Sequence, residues 1–142
     1  MGKHSEKAAA LFDEGFACSQ AVLGAFCEPL GMDRALALKI ANGFGGGIAR
    51  RQKICGAVSG AVMMIGLKYG RSEAGDMDAH EKTYAKINAF CEAFEQSNGS
   101  IICRDLLGCG MEEAKEKGVF STLCKKFVRD AADILEELMQ AE

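Results

Sequence analysis

The sequence predicts an all-α fold: a single domain over residues 1–142, built as a bundle of about six helices. Three observations carry this. Apolar residues recur at the three- and four-residue spacing of a helix face along most of the chain. No segment alternates apolar and polar residues as a half-buried strand does. Pro29 is the only proline and tryptophan is absent, which speaks against a loop-rich β scaffold. A chain of this length buries roughly 70% of its unfolded surface in one core and needs no staples.

The elements follow in order. Residues 3–13 carry Ala8, Leu11 and Phe12 on one side, and Gly15 breaks the pattern. A second helix runs from about 17 to 27, with Cys18, Val22, Ala25 and Phe26 on one face, and Pro29 and Gly31 end it. Asp33 is placed to cap a helix over 34–41, which Asn42 and Gly43 close. The glycine run 43–47 then reads as a loop passing close to the core or opening a path to Cys55. It lacks the Gly-Lys-Ser/Thr ending and the preceding strand of a phosphate-binding loop. Residues 56–69 form a buried helix stopped by Gly70. The uncharged run 54–67 has 14 residues, whereas a membrane span needs about 20. A long amphipathic helix covers about 76–96, with Tyr84, Ile87, Phe90, Cys91 and Phe94 along its stripe. Short helices follow over 104–107 and 111–117. The last helix, about 120–139, buries Cys124, Phe127, Val128, Ala131, Leu135 and Leu138.

The net charge of −3 shows no nucleic-acid footprint. The two basic clusters, Arg50-Arg51-x-Lys53 and Lys125-Lys126-x-x-Arg129, read as solvated faces or helix ends. The N-terminus lacks the apolar stretch of a secretory signal, so a cytoplasmic, reducing location is expected. There, seven cysteines are the informative feature: Cys18, Cys27, Cys55, Cys91, Cys103, Cys109 and Cys124. An odd number cannot pair completely within one chain, and a reducing compartment disfavours a structural framework. Redox chemistry and metal binding are the alternatives to plain packing. No C-x-x-C occurs, so any constellation must be assembled from distant segments.

Cys55 has the strongest local context. It stands where a glycine-containing loop turns into a helix, two residues after Lys53 and near Arg50 and Arg51. Helix-end N–H groups and a neighbouring cation favour a thiolate, while burial opposes it. The expectation is a sulfur open on its N-terminal side, the fastest of the seven to alkylate. Gly56-x-x-x-Gly60 also fits a tight helix-packing seam with Cys55 as a small buried residue. His4, near a terminus expected to fray, and His80, among carboxylates on the long helix, read as surface residues. Neither has a context that fixes it near a nucleophile. The glutamates at 112, 113, 116, 136 and 137 read as solvated helix faces.

The stretch from Gly43 through Cys55-Gly56-Ala57-Val58-Ser59-Gly60 to Gly70 resembles the CGAxxG region of the redox-active protein family named for its C-GCAxxG-C-C pattern. The resemblance covers the whole chain. Cys18, in Phe16-Ala17-Cys18-Ser19-Gln20-Ala21, resembles the family's first cysteine, Cys55 the motif cysteine, Cys103 the third and Cys124 the fourth. Cys27, Cys91 and Cys109 have no place in the pattern. The resemblance implies redox activity with an unidentified redox partner, and it points toward a transporter-associated system. It names no substrate or cofactor.

All four matched cysteines fall near predicted helix N-termini, so they are expected to meet in one pocket, without Cys27 and Cys109. Three functions fit. The first is a thiol redox protein with Cys55 as the attacking thiolate and no cofactor required. The second is a zinc or iron–sulfur protein with Cys18, Cys55, Cys103 and Cys124 as ligands. The third is a helical interaction module whose cysteines only pack.

Overall fold

A computed structural model describes residues 2–140. They form the helices α1 (Lys3–Asp13), α2 (Cys18–Phe26), α3 (Arg34–Ala41), α4 (Gly45–Ile48), α5 (Gly56–Tyr69), α6 (Met77–Asn98), α7 (Cys103–Leu107), α8 (Met111–Lys117) and α9 (Leu123–Gln140). Six of these have eight residues or more, and among the described residues no β-strand occurs. The fold is therefore all-α, as the periodicity requires.

Local chemistry sets most boundaries. The Asp33 carboxylate accepts the Leu36 N–H at 3.1 Å and opens α3. Asp76 does the same for Ala79 at 3.1 Å and opens α6. Gly99 ends α6 at φ 90°, a left-handed conformation that costs glycine nothing. Pro29 opens a 3₁₀ turn, Glu28–Leu30, which Gly31 closes. α9 starts at Leu123, later than the pattern suggests, because a 3₁₀ turn over Val119–Ser121 precedes it.

α2 lies at the centre and packs against α1, α3, α5 and α9. Its apolar residues Val22, Leu23 and Phe26 join Val58, Ile65, Phe90, Phe94, Val128 and Leu135 in the main core. Val62 and Ile87 are partly buried against it. Two details of the helix faces differ from the expected ones. Tyr84 leaves the stripe of α6 and is 55% exposed, tilted against His80. The end of α5 emerges from the core, leaving Leu67 exposed.

His4 is not a frayed surface residue. Its ring stacks on Phe26, with centroids 4.3 Å apart, and its Nδ1 lies 2.5 Å from Glu136 Oε1. The Glu136 carboxylate also accepts the His4 backbone N–H, so this glutamate ties α1 to α9 rather than facing solvent. The Lys125–Lys126 cluster is a solvated face: Lys125 pairs with Asp13 and Lys126 with Asp130.

A second, smaller apolar cluster stands beside the main core. Cys103, Leu107, Cys109 and Ala114 form it, with Met111, Val119, Phe120, Leu123 and Cys124 packed against them. The boundary between the two clusters is where the cysteines meet.

Candidate functional site

Each matched cysteine sits at a helix start. Cys18 is the first residue of α2, Cys55 the N-cap of α5, Cys103 the first residue of α7 and Cys124 the second of α9. All four line one cleft of about 710 Å³. Cys27 and Cys109 do not line it. The expected convergence of four helix starts is therefore what the fold produces.

Three local devices bring the sulfurs together. The first is the Gly56-x-x-x-Gly60 seam. A Cβ added at Gly60 would lie 2.6 Å from the Ser19 carbonyl oxygen, and one at Gly56 would run into Cys18 Sγ. Both glycines thus let α5 close onto α2. The packing-seam reading holds, and its consequence is to press Cys18 against the residue next to Cys55.

The second device is a single antiparallel bridge between Ile54 and Ile102. The Cys55 N–H donates to the Ile101 carbonyl at 2.8 Å, and the Cys103 N–H donates to the Lys53 carbonyl at 2.6 Å. Side chains alternate across such a pair. Ile54 and Ile102 take one face, and Cys55 and Cys103 share the other as diagonal neighbours.

The third device is the glycine-rich segment, which is not a simple loop. Gly46, Gly47, Ile48, Ala49 and Arg50 are all left-handed, with φ between 48° and 69°, and Gln52 follows at φ 57°. An L-residue in this region costs roughly 1–2 kcal/mol, most for a β-branched one such as Ile48. Backbone hydrogen bonds offset the strain: Ala49 N–H to Gly43 O at 3.0 Å, Gln52 N–H to Gly46 O at 3.0 Å and Lys53 N–H to Gly47 O at 2.9 Å. The Gln52 amide donates to the Cys109 carbonyl at 2.8 Å and anchors the turn to the smaller cluster. Gly47 is indispensable here, since a Cβ would meet the Lys53 nitrogen at 2.5 Å.

Two polar residues that the sequence reading passed over hold the start of α2. The buried Ser19 hydroxyl donates to the Ala41 carbonyl at 2.7 Å. Gln20 accepts the Ala17 N–H at 2.9 Å and donates to the Leu38 carbonyl at 2.9 Å. Their position directly after Cys18, on a helix otherwise apolar, was the available signal.

Burial works against the expectation for Cys55. Its residue is 5% exposed, and burial pushes the thiol well above the usual cysteine range. The Cys18 thiol adds to this, and Cys103 adds less. The α5 N–H groups of Ala57 and Val58 act the other way, as expected of a helix end, but burial outweighs them. No cation stands among the influences on this sulfur. Cys18 is likewise raised by burial, against N–H groups from Gly46, Ser19 and Ala57. Burial raises Cys124 to about 12 and Cys103 to about 11, with smaller contributions from neighbouring thiols. Burial thus raises Cys103 less than Cys55, although the two residues are nearly equally buried, at 7% and 5% exposed.

Among the described residues no group of three or more histidine, cysteine or acidic side chains is placed to hold a metal ion. No helix among the described residues is long and apolar enough to cross a membrane. Of the other cysteines, Cys27 is buried with its thiol toward the Gly24 carbonyl at 3.7 Å, Cys91 is half-buried on α6, and Cys109 packs in the smaller cluster.

Residues 16–138 match the model of the family described as "Putative redox-active protein (C_GCAxxG_C_C)". The chain belongs to that family. Comparison with curated proteins and with solved structures finds no match. The family match spans all four cleft cysteines and the left-handed turn between α3 and α5.

Proposed function

We propose that this family member is a thiol–disulfide redox protein acting as one domain, with Cys103 and Cys124 as the pair that meets the substrate. The supporting observation is the common cleft: four thiols from four helix starts, lined up across the boundary of two apolar clusters. Cys103 and Cys124 pack in the same cluster, and Cys103 is taken as the attacking thiol because burial raises it less than Cys55. The Cys103 thiolate attacks one sulfur of a substrate disulfide, and the other sulfur leaves and takes a proton. Cys124 gives up its proton and attacks Cys103 Sγ, releasing the second substrate thiol. One substrate disulfide becomes two thiols while two cysteine thiols become one disulfide.

The test is a free-thiol count with peptide mapping, before and after mild oxidation of the fully reduced protein. Two thiols are expected to disappear, in a disulfide between Cys103 and Cys124. Retention of all seven thiols, under conditions that oxidise a model dithiol, would remove this function.

A further inference from the structure

From the cleft and the turn that borders it, we infer that Arg50 selects the substrate: the disulfide that enters carries a carboxylate beside an apolar body. This rests on the thiol–disulfide reading above. Apart from the cysteines, Arg50 is the one ionisable side chain among the residues lining the cleft. Phe12, Phe16, Phe120, Phe127 and Leu106 supply apolar walls. Such a cleft accepts an apolar body and places one positive charge at its edge.

The backbone around Arg50 is built at a cost. Ile48, Ala49 and Arg50 are consecutive left-handed residues that are not glycine. Such conformations persist where the surroundings over-determine them, and they concentrate at ligand-handling sites. Here the turn has two outputs. It puts Gly46 on the wall of the cleft that Cys18 also lines, and it lays Arg50 back over Gly46, where an added Cβ would lie 3.1 Å from Arg50 Cγ. The guanidinium is thereby carried on a strained segment that lines the same cleft as the thiols.

The surrounding charge favours the same ligand. Between Asp33 and Glu73 the chain has seven lysines and arginines and no carboxylate, although the whole chain is net −3. Arg51 and Lys53 flank Arg50 and are exposed. Asp13, next to Phe12 in the chain, is paired with Lys125 at 2.9 Å. A carboxylate near the mouth therefore meets a guanidinium able to hold it with two parallel hydrogen bonds.

Two measurements on the reduced full-length chain test this. The first compares oxidation by three small disulfides: the dianionic 3,3′-dithiodipropionate, the neutral bis(2-hydroxyethyl) disulfide and the dicationic cystamine. The dianion is expected to react roughly fivefold faster than the neutral compound, and the dication slower, with the spread shrinking in high salt. Arg50→Gln removes the order, Arg50→Lys restores part of it, and Arg51→Gln keeps it. Equal rates for the three compounds, or an order that survives in Arg50→Gln, overturn the inference while leaving the exchange reaction standing. Failure of all three compounds to oxidise the protein overturns the exchange reaction instead. The second measurement does not need that reaction. The ratio of iodoacetate to iodoacetamide labelling at Cys124 and Cys103 is expected to fall roughly fivefold in Arg50→Gln and to stay constant at Cys91, outside the cleft. An unchanged ratio at all three cysteines counts against Arg50 whatever the redox result.

Discussion

The two walls of the thiol cleft are built differently. Cys18 and Cys55 belong to the α2–α5 wall, sealed into the main core by Gly56 and Gly60 and supplied with helix-end N–H groups. Cys103 and Cys124 belong to the α7–α9 wall, whose cluster is small and whose thiols burial raises to about 11 and about 12. The wall with more thiolate-favouring N–H donors holds Cys55, the one of the bridged pair that burial raises more. Desolvation of a buried sulfur outweighs a few favourable dipoles, so a helix N-terminus does not by itself make a reactive cysteine.

Alkylation order is the sharpest way to break this contrast. In the reduced protein near pH 8, Cys103 is expected to react with iodoacetamide more than tenfold faster than Cys55, since the thiolate is the nucleophile. Quantitative peptide mapping reads the order directly. A Cys55 that reacts first would restore the opposite assignment and show that its sulfur is more open than its burial indicates.

Packing density separates the walls next. Gly60→Ala drives a methyl group against the Ser19 carbonyl and Val22 Cβ, at 2.6 and 3.1 Å, and is expected to lose about 2 kcal/mol in urea denaturation. Gly110→Ala, on the α7–α9 side, meets only Arg104 Nη1 at 3.6 Å and is expected to change stability by less than about 0.5 kcal/mol. Equal costs at the two positions would mean that the seam is not what holds α5 to α2.

Leu107→Ala probes the smaller cluster itself. Leu107 is 8% exposed, and its truncation is expected to cost about 2 kcal/mol, the low end for a core leucine. The variant should also slow closure of the Cys103–Cys124 disulfide, measured by thiol counting over time, because the cluster that holds the pair is loosened. Unchanged closure would place the pairing geometry in the helix ends alone.

The pH profile probes the same two thiols through linkage. The folded chain keeps the Cys103 and Cys124 protons up to about pH 11 and 12, whereas the ordinary thiol value is 9.0. Above pH 9 the unfolded chain therefore holds fewer protons than the folded one, and stability falls as pH rises. The contribution is complete below about pH 9 and is lost through pH 11 to 12. Oxidation of this pair to a disulfide removes both protons, so its profile should be flatter there. Denaturation midpoints of both forms from pH 8 to 11 check the sign.

Much of the fold was legible because its causes are local. The ranges 3–13, 34–41, 56–69 and 111–117 were read to the residue from apolar spacing and from stops such as Gly70. The Asp33 cap was legible because its bond closes over three residues. The convergence of Cys18, Cys55, Cys103 and Cys124 was anticipated from their places at helix starts and from the family resemblance. His4 was misread because its partners, Phe26 and Glu136, lie 22 and 132 residues away. Tyr84 was misread because spacing places a residue on a helix face without telling where that face leaves the core.

Most helix ranges, the Asp33 cap and the all-α class were legible because they follow from interactions within a few residues of the chain. The sequence also marked which cysteines stand at helix starts. How burial weighs on each sulfur follows from the tertiary packing, and at Cys55 it opposes the advantage of a helix start. The Ile54–Ile102 bridge joins segments 48 residues apart, and the left-handed turn at 46–50 is held partly by the Gln52 bond to Cys109, 57 residues on. Neither leaves a periodic signal, because desolvation and long-range hydrogen bonds depend on what the rest of the chain packs against a residue rather than on its neighbours in sequence.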